Sequence, residues 1–224
     1  MARDIKRNVW FMKTAIIYLP EVTHTVKSAE EARVGCSIFD INAELFQGYT
    51  PQRAAEKMES LGIKPFSPGP KLFDIKNSKP GVRGCFMSHF SLWQSCYDND
   101  EVTCIFEHDG RLINDIPDVD FDDVLQLDPY KNVLPPEGPN DKLKVVDEKF
   151  MRKGFNTLNG AHAYIIKPHA AKKLIDATFD QGFTAADMHI SDRTGIRIQS
   201  IKPRCATLDT INTISLTSDR DFNL

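Results

Sequence analysis

"GCFMSHFSLWQSCYDNDEVTCIFEHDG", residues 84 to 110, reads as a helix, a turn and a strand in that order. Phe86, Phe90, Trp93 and Tyr97 fall at i, i+4, i+7 and i+11, one apolar stripe of a helix. Asp98, Asn99 and Asp100 end that pattern, and "VTCIFE" follows as a buried strand. The strand closes on Glu107, His108 and Asp109, and then Gly110. In open α/β sheets, ligands bind beyond the carboxyl ends of strands. If the chain stays extended there, residues 107 and 109 point the same way, and two oxygen ligands on one side suit Mg²⁺ or Mn²⁺. The same triplet also reads as a solvated turn that simply ends the strand.

Outward from this stretch, strands and helices alternate. "KTAIIYLP" is a buried strand stopped by Pro20, and "SAEEARVGC" a helix with acids in its first turn. "SIFDINAELF" reads as a second strand. "TPQRAAEKMESLG" is a helix with Thr50 as cap, Pro51 in the first turn and Gly62 as stop. "PFSPGPK" and "PPEGPND" read as loops, the latter a loop or mobile flap. "GAHAYIIKPHAAKKLIDATF" is a strand followed by a helix that starts at Pro168, and "RIQSIKPRCATL" is a last strand. The order is roughly βαβαα-βαβ. It predicts an α/β domain with a mostly parallel sheet covered by helices on both faces. Neither a GxGxxG nor a GxxxxGK[ST] loop is present.

Bulk properties exclude some classes. The 224 residues suit a single domain, 41% hydrophobic and 26% charged. A net charge of −3 and a pI near 6.1 argue against a nucleic-acid-coating surface. Arg3, Lys6 and Arg7 before Val9 to Met12 imitate the start of a signal peptide, but Lys13 interrupts the apolar run and no small-residue cleavage site follows. The expectation is a soluble, cytoplasmic protein with no membrane span. The five cysteines form no CxxC, so they read as reduced, buried thiols.

Residues 81 to 109, "GVRGCFMSHFSLWQSCYDNDEVTCIFEHD", resemble the LPS/procollagen glycosyltransferase family, glycosyltransferase family 25. The family's helix reads G-x-x-G-C-x-x-S-H-x-x-L-W, and its next strand ends in E-D-D. Gly81, Gly84, Cys85, Ser88, His89, Leu92, Trp93, Glu107 and Asp109 match, and His108 stands where the family has its middle acid. "NGAHAYIIKPHAAKKLID" and "TAADMHI" resemble the family's later strand-helix segment and late acidic position, while the Arg-rich segment usual after the first strand is missing.

The resemblance implies a single GT-A-like domain over 1–224, Rossmann-like, with a nucleotide-sugar-binding half at about 12–110 and an acceptor half and tail at about 111–224. It implies transfer of a hexose or pentose from a nucleotide sugar to an acceptor hydroxyl, assisted by Mn²⁺ or Mg²⁺. Glu107 and Asp109 are the expected metal ligands, with His189 completing the shell. Tyr18, Arg83, Ser88, His89, Glu107, Asn159 and Gly160 are expected at the donor site, with Lys79 a weaker candidate. An inverting transfer needs a base beside the acceptor hydroxyl. Asp187 is that candidate and Asp192 its reserve, although Asp187 also reads as a helix cap. The acceptor is a glycan of the lipopolysaccharide kind or a hydroxymethylated DNA base, as in bacteriophages that glycosylate their genomes, which would place the protein in the host cytoplasm. Two other classes stay open: a nucleotide- or glycan-binding protein of the same fold whose His108 has removed the metal site, and a metal-dependent nucleotidyl or phosphoryl transferase.

Overall fold

The structure is a computed structural model that describes residues 12–66, 79–129, 142–147 and 149–209. The N-terminal basic segment, the loop at 135–141, most of the loop at 65–71 and the tail from 210 lie outside the described residues.

In chain order the elements are β1 (Lys13–Tyr18), α1 (Thr23–Ile38), β2 (Ala43–Gln47), α2 (Pro51–Leu61), α3 (Pro80–Asp98) and β3 (Thr103–Glu107). Then come β4 (Gly110–Leu112), β5 (Val124–Gln126), β6 (Lys144–Asp147), β7 (Met151–Arg152), β8 (Phe155–Asn156) and β9 (Ala163–Ile166). Helices α4 (Pro168–Gln181) and α5 (Ala186–His189), a 3-10 turn at Asp192–Thr194, and strands β10 (Ile198–Lys202) and β11 (Ala206–Leu208) complete it.

A seven-stranded sheet in the order β2-β1-β3-β9-β5-β10-β6 forms the centre. β2, β1, β3, β5 and β10 run one way, while β9 and β6 run against them. The sheet is therefore mostly parallel, as expected, but not wholly so. The reversal of β9 has a consequence for the site. Its entry end, not its exit, lies beside the carboxyl end of β3, where Phe106 pairs with Ala163. Asn159 to His162, just before β9, are thereby delivered to the same edge as Glu107, whose amide donates to the His162 carbonyl at 3.0 Å.

Side-chain alternation splits the core into two layers. Ala15, Ile17, Ile105, Tyr164 and Ile166 pack with α2, α3 and α4, while Ile16, Cys104, Phe106, Ala163 and Ile165 pack with α1. Both faces are covered. α3 is the longest helix described, and Phe86, Phe90 and Trp93 are fully buried, whereas Tyr97 at the end of the stripe is 43% exposed.

Several local expectations meet corrections. α1 starts at Thr23, five residues before Ser28, and runs through Ser37 and Ile38, so the second strand begins only at Ala43. Its start is fixed by Thr25, whose hydroxyl accepts from the Leu19 amide and donates to the Leu19 and Val22 carbonyls. α2 is capped as read: Thr50 accepts from the Arg53 amide, and Gly62 closes the helix at φ 69°. The last stretch splits into β10 and β11 around Pro203, and β11 pairs with β4, not with the main sheet. Among the described residues, no helix is long and apolar enough to cross a membrane.

Candidate active site

β1, β2 and β3 are parallel, so their carboxyl ends share one edge, and a pocket lies over it. β1 contributes Ile17 and Tyr18, with Leu19 just after it; the loop after β2 contributes Tyr49; β3 contributes Glu107, with His108 in the turn that follows. The first turns of α3 close it with Gly81, Gly84, Cys85, Ser88 and His89. Of the expected donor residues, Tyr18, Ser88, His89 and Glu107 meet here.

Close packing explains the motif's small residues. A Cβ on Gly84 would stand 2.5 Å from the Tyr49 carbonyl oxygen, and one on Gly48 2.9 Å from the Ser88 hydroxyl. Ser88 donates to the Gly84 carbonyl and accepts from the Tyr49 amide at 2.9 Å. It thus ties the loop after β2 to α3 and shapes the pocket wall.

His89 is fully buried between two partners: Nδ1 lies 2.9 Å from the Tyr164 hydroxyl and Nε2 3.1 Å from Glu107 Oε1. Trp93 Nε1, which can only donate, gives its hydrogen to the same Tyr164 oxygen at 2.9 Å. Burial alone would raise the Glu107 carboxyl. The hydrogen bond from His89 and the charge of His89, His162 and His108 outweigh it and hold its pKa at about 2. An ionised carboxylate only accepts, so Nε2 carries the hydrogen. In a neutral ring, Nδ1 then accepts from Tyr164. Trp93, Tyr164, His89 and Glu107 form one directed chain from the core to the pocket, and the Glu107 side chain is 27% exposed at its end.

Cys85 Sγ lies 3.5 Å from the same Glu107 oxygen. Its thiol is pushed well above the usual range, first by burial, then by the negative charge of Glu107, Asp187 and Asp109.

The strand-end pair behaves differently from an extended strand. His108 and Asp109 form a turn, pinned where the His108 carbonyl accepts from Ser28 Oγ at 2.8 Å and from Arg111 at 2.7 Å. Asp109 is 2% exposed and does not line the pocket. The donors that meet beside Glu107 are a thiol and an imidazole, not a second carboxylate. The thiol suits neither Mg²⁺ nor Mn²⁺, which favour oxygen ligands, although Mn²⁺ also accepts imidazole. His189 is also elsewhere. It is fully buried, stacked on Trp93 at 5.7 Å and edge-on to Phe86, with Nε2 3.1 Å from the Leu174 carbonyl. Burial brings its pKa down to about 3. The core claims it, and it is not brought to Glu107.

Arg83 sits inside the first turn of α3, not in a turn before it, and does not line the pocket; Lys79 is the residue before that helix. Asp187 does not cap α5, whose cap is Ala185. Asp187 instead accepts from Arg152 at 2.6 Å, and Arg152 also reaches Asn159 Oδ1 at 3.4 Å. Gly160 has φ 84°, and a Cβ there would meet the His162 ring at 2.8 Å. Asp192 is exposed and accepts from the Asn156 amide, so it braces the 155–156 segment.

Sequence reading gave no role to Arg152, Tyr164 or Cys85. Tyr164 and Cys85 stand inside the quoted motifs, a signal that was there to use. Arg152 lies in a stretch without periodicity, and only the folded chain brings it to Asp187.

A pocket over the carboxyl ends of parallel strands, with an ionised carboxylate at its edge, is where open α/β sheets bind ligands. Residues 27–190 match the model of glycosyltransferase family 25 (LPS biosynthesis protein), and the chain belongs to that family. A search of curated proteins found no match.

Proposed function

We propose that this protein moves a sugar from a nucleotide-sugar donor to an acceptor hydroxyl, with the donor seated in the pocket over β1, β2 and β3. The observation that carries the reading is the joining, in one cleft, of Tyr18, Tyr49 and Leu19 with the ionised Glu107. The aromatic and apolar wall suits a nucleobase. The first turn of α3, whose Gly81 and Gly84 line the pocket, suits the diphosphate. Glu107 accepts hydrogen bonds from sugar hydroxyls. Every residue of this pocket precedes residue 110, which supports a donor half at about 12–110.

The acceptor end is Asp187, held by Arg152 beside Asn159. Asp187 takes the proton as the acceptor oxygen bonds to the sugar carbon, and the bond from that carbon to the diphosphate breaks. A nucleoside diphosphate leaves. Mn²⁺ or Mg²⁺ fits the donors at the pocket poorly, so no step is routed through either. The acceptor is a glycan hydroxyl of the lipopolysaccharide kind, met in the cytoplasm.

The test is a panel of nucleotide sugars, scored for binding and for nucleoside diphosphate release, with glycan and hydroxymethylated-DNA acceptors in parallel. Turnover of one donor with a glycan is the expected result. Turnover with DNA alone would move the acceptor. Release of pyrophosphate, or no binding of any donor, overturns the reading.

A further inference from the structure

We propose that Cys85, His89 and Glu107 form a binding site for a borderline divalent cation of the Zn²⁺ type, with one coordination position open to the pocket. This concerns the cleft to which the transfer reading assigns the donor, but it stands on ligand geometry and is read without turnover.

Cys85 and His89 are four residues apart on α3, so both face the end of β3. Nε2 of His89 and Sγ of Cys85 lie 3.1 Å and 3.5 Å from Glu107 Oε1, and all three ligand atoms are within 4.8 Å of one another. Tetrahedral zinc with bonds of about 2.0–2.3 Å needs its ligands roughly 3.2–3.8 Å apart. The site therefore needs only small side-chain movements. All three residues line the cavity, so an ion can enter and keep a fourth position for water or a ligand oxygen. Sulfur, nitrogen and one carboxylate oxygen favour Zn²⁺ or Co²⁺ over Mg²⁺ or Mn²⁺. The Glu107 carboxylate beside Cys85 favours a cation at that spot.

A second layer is already in place. Metal on Nε2 puts the ring hydrogen on Nδ1, which faces the Tyr164 oxygen, itself fixed by Trp93. Binding forms the sulfur–metal bond and releases the Cys85 proton to solvent, one proton per ion. His89 exchanges tautomer with no net loss.

The experiment is titration of the metal-free full chain with Co²⁺ and then Zn²⁺. One equivalent of Co²⁺ should give the near-ultraviolet charge-transfer band of a thiolate ligand, and Zn²⁺ should abolish it. Zn²⁺ affinity should rise about tenfold per pH unit. Cys85→Ser, checked by circular dichroism, should lose the band. Tyr164→Phe should weaken Zn²⁺ about 10–100-fold while the band remains. Co²⁺ binding without the band, binding unaltered in Cys85→Ser, or no binding overturns the site. Nucleotide-sugar binding is measured separately with chelator. A bound metal without nucleotide binding sinks the transfer reading and leaves this site standing.

Discussion

At the proposed donor end of the site, Cys85, His89 and Glu107 sit on a 19-residue helix and on a central strand bonded on both sides. At the proposed acceptor end, Arg152, Asn159 and Asp187 sit on a two-residue strand, a loop and a four-residue helix. The first group is held by a buried hydrogen-bond chain through Tyr164 and Trp93, the second by the Arg152–Asp187 ion pair, partly open to solvent, and by hydrogen bonds from Arg152 and Gln126 to Asn159. Long, buried elements fix side chains within fractions of an ångström, whereas short ones adjust at small cost.

Variants can break this contrast. The largest expected effect is on chemistry: Asp187→Asn should lower kcat by about 10²–10⁴-fold with nucleotide Kd unchanged. A matching loss of nucleotide binding would show that the two ends are one unit. Next, Tyr164→Phe leaves His89 and Trp93 each short of a buried partner, so unfolding should cost roughly 1–3 kcal/mol less in urea. Loss of nucleotide affinity should accompany it, whereas Arg152→Ala should change stability far less, since its pair is partly solvated.

Packing sharpens the same contrast. Gly84→Ala drives a methyl against the Tyr49 carbonyl and should destabilise by about 1–3 kcal/mol, with weaker nucleotide binding. Gly35→Ala, on α1 with nothing within 4 Å, should stabilise by about 0.5–1 kcal/mol and leave binding alone. Thermal melts of the two variants read both signs.

Titration separates two neighbouring groups. Glu107 falls from an ordinary 4.5 to about 2 on folding, so its contribution is full above pH 4.5 and is lost as pH drops towards 2. Glu107→Gln should flatten that acid limb. His162 runs the other way. Burial lowers its pKa, but the hydrogen bond and charge of Asp128, with Glu107 and Asp109 nearby, raise it above 6.5 overall. Its stabilisation is full below pH 6.5 and is lost as pH rises through the folded value, a limb that His162→Asn should remove.

Much of the fold was legible because it is local. The 3.6-residue stripe of α3, the cap and stop of α2, and the Pro168 start of α4 are each written in a few adjacent residues, and all formed where read. The α1–β2 boundary failed because "SIF" has strand composition but continues a helix already nucleated near Thr25. At the site, the family resemblance put Ser88, His89 and Glu107 together, and all three line one pocket. The sequence by itself did not determine the direction of β9, which depends on pairing between strands some sixty residues apart, Phe106 with Ala163. Only the tertiary structure decided that Tyr164 would fix His89, that Arg152 would hold Asp187, and that Asp109 would be buried in a turn. Those contacts join segments whose separation in the chain carries no periodic signal, and the energy of desolvating each charge is known only once its neighbours are in place.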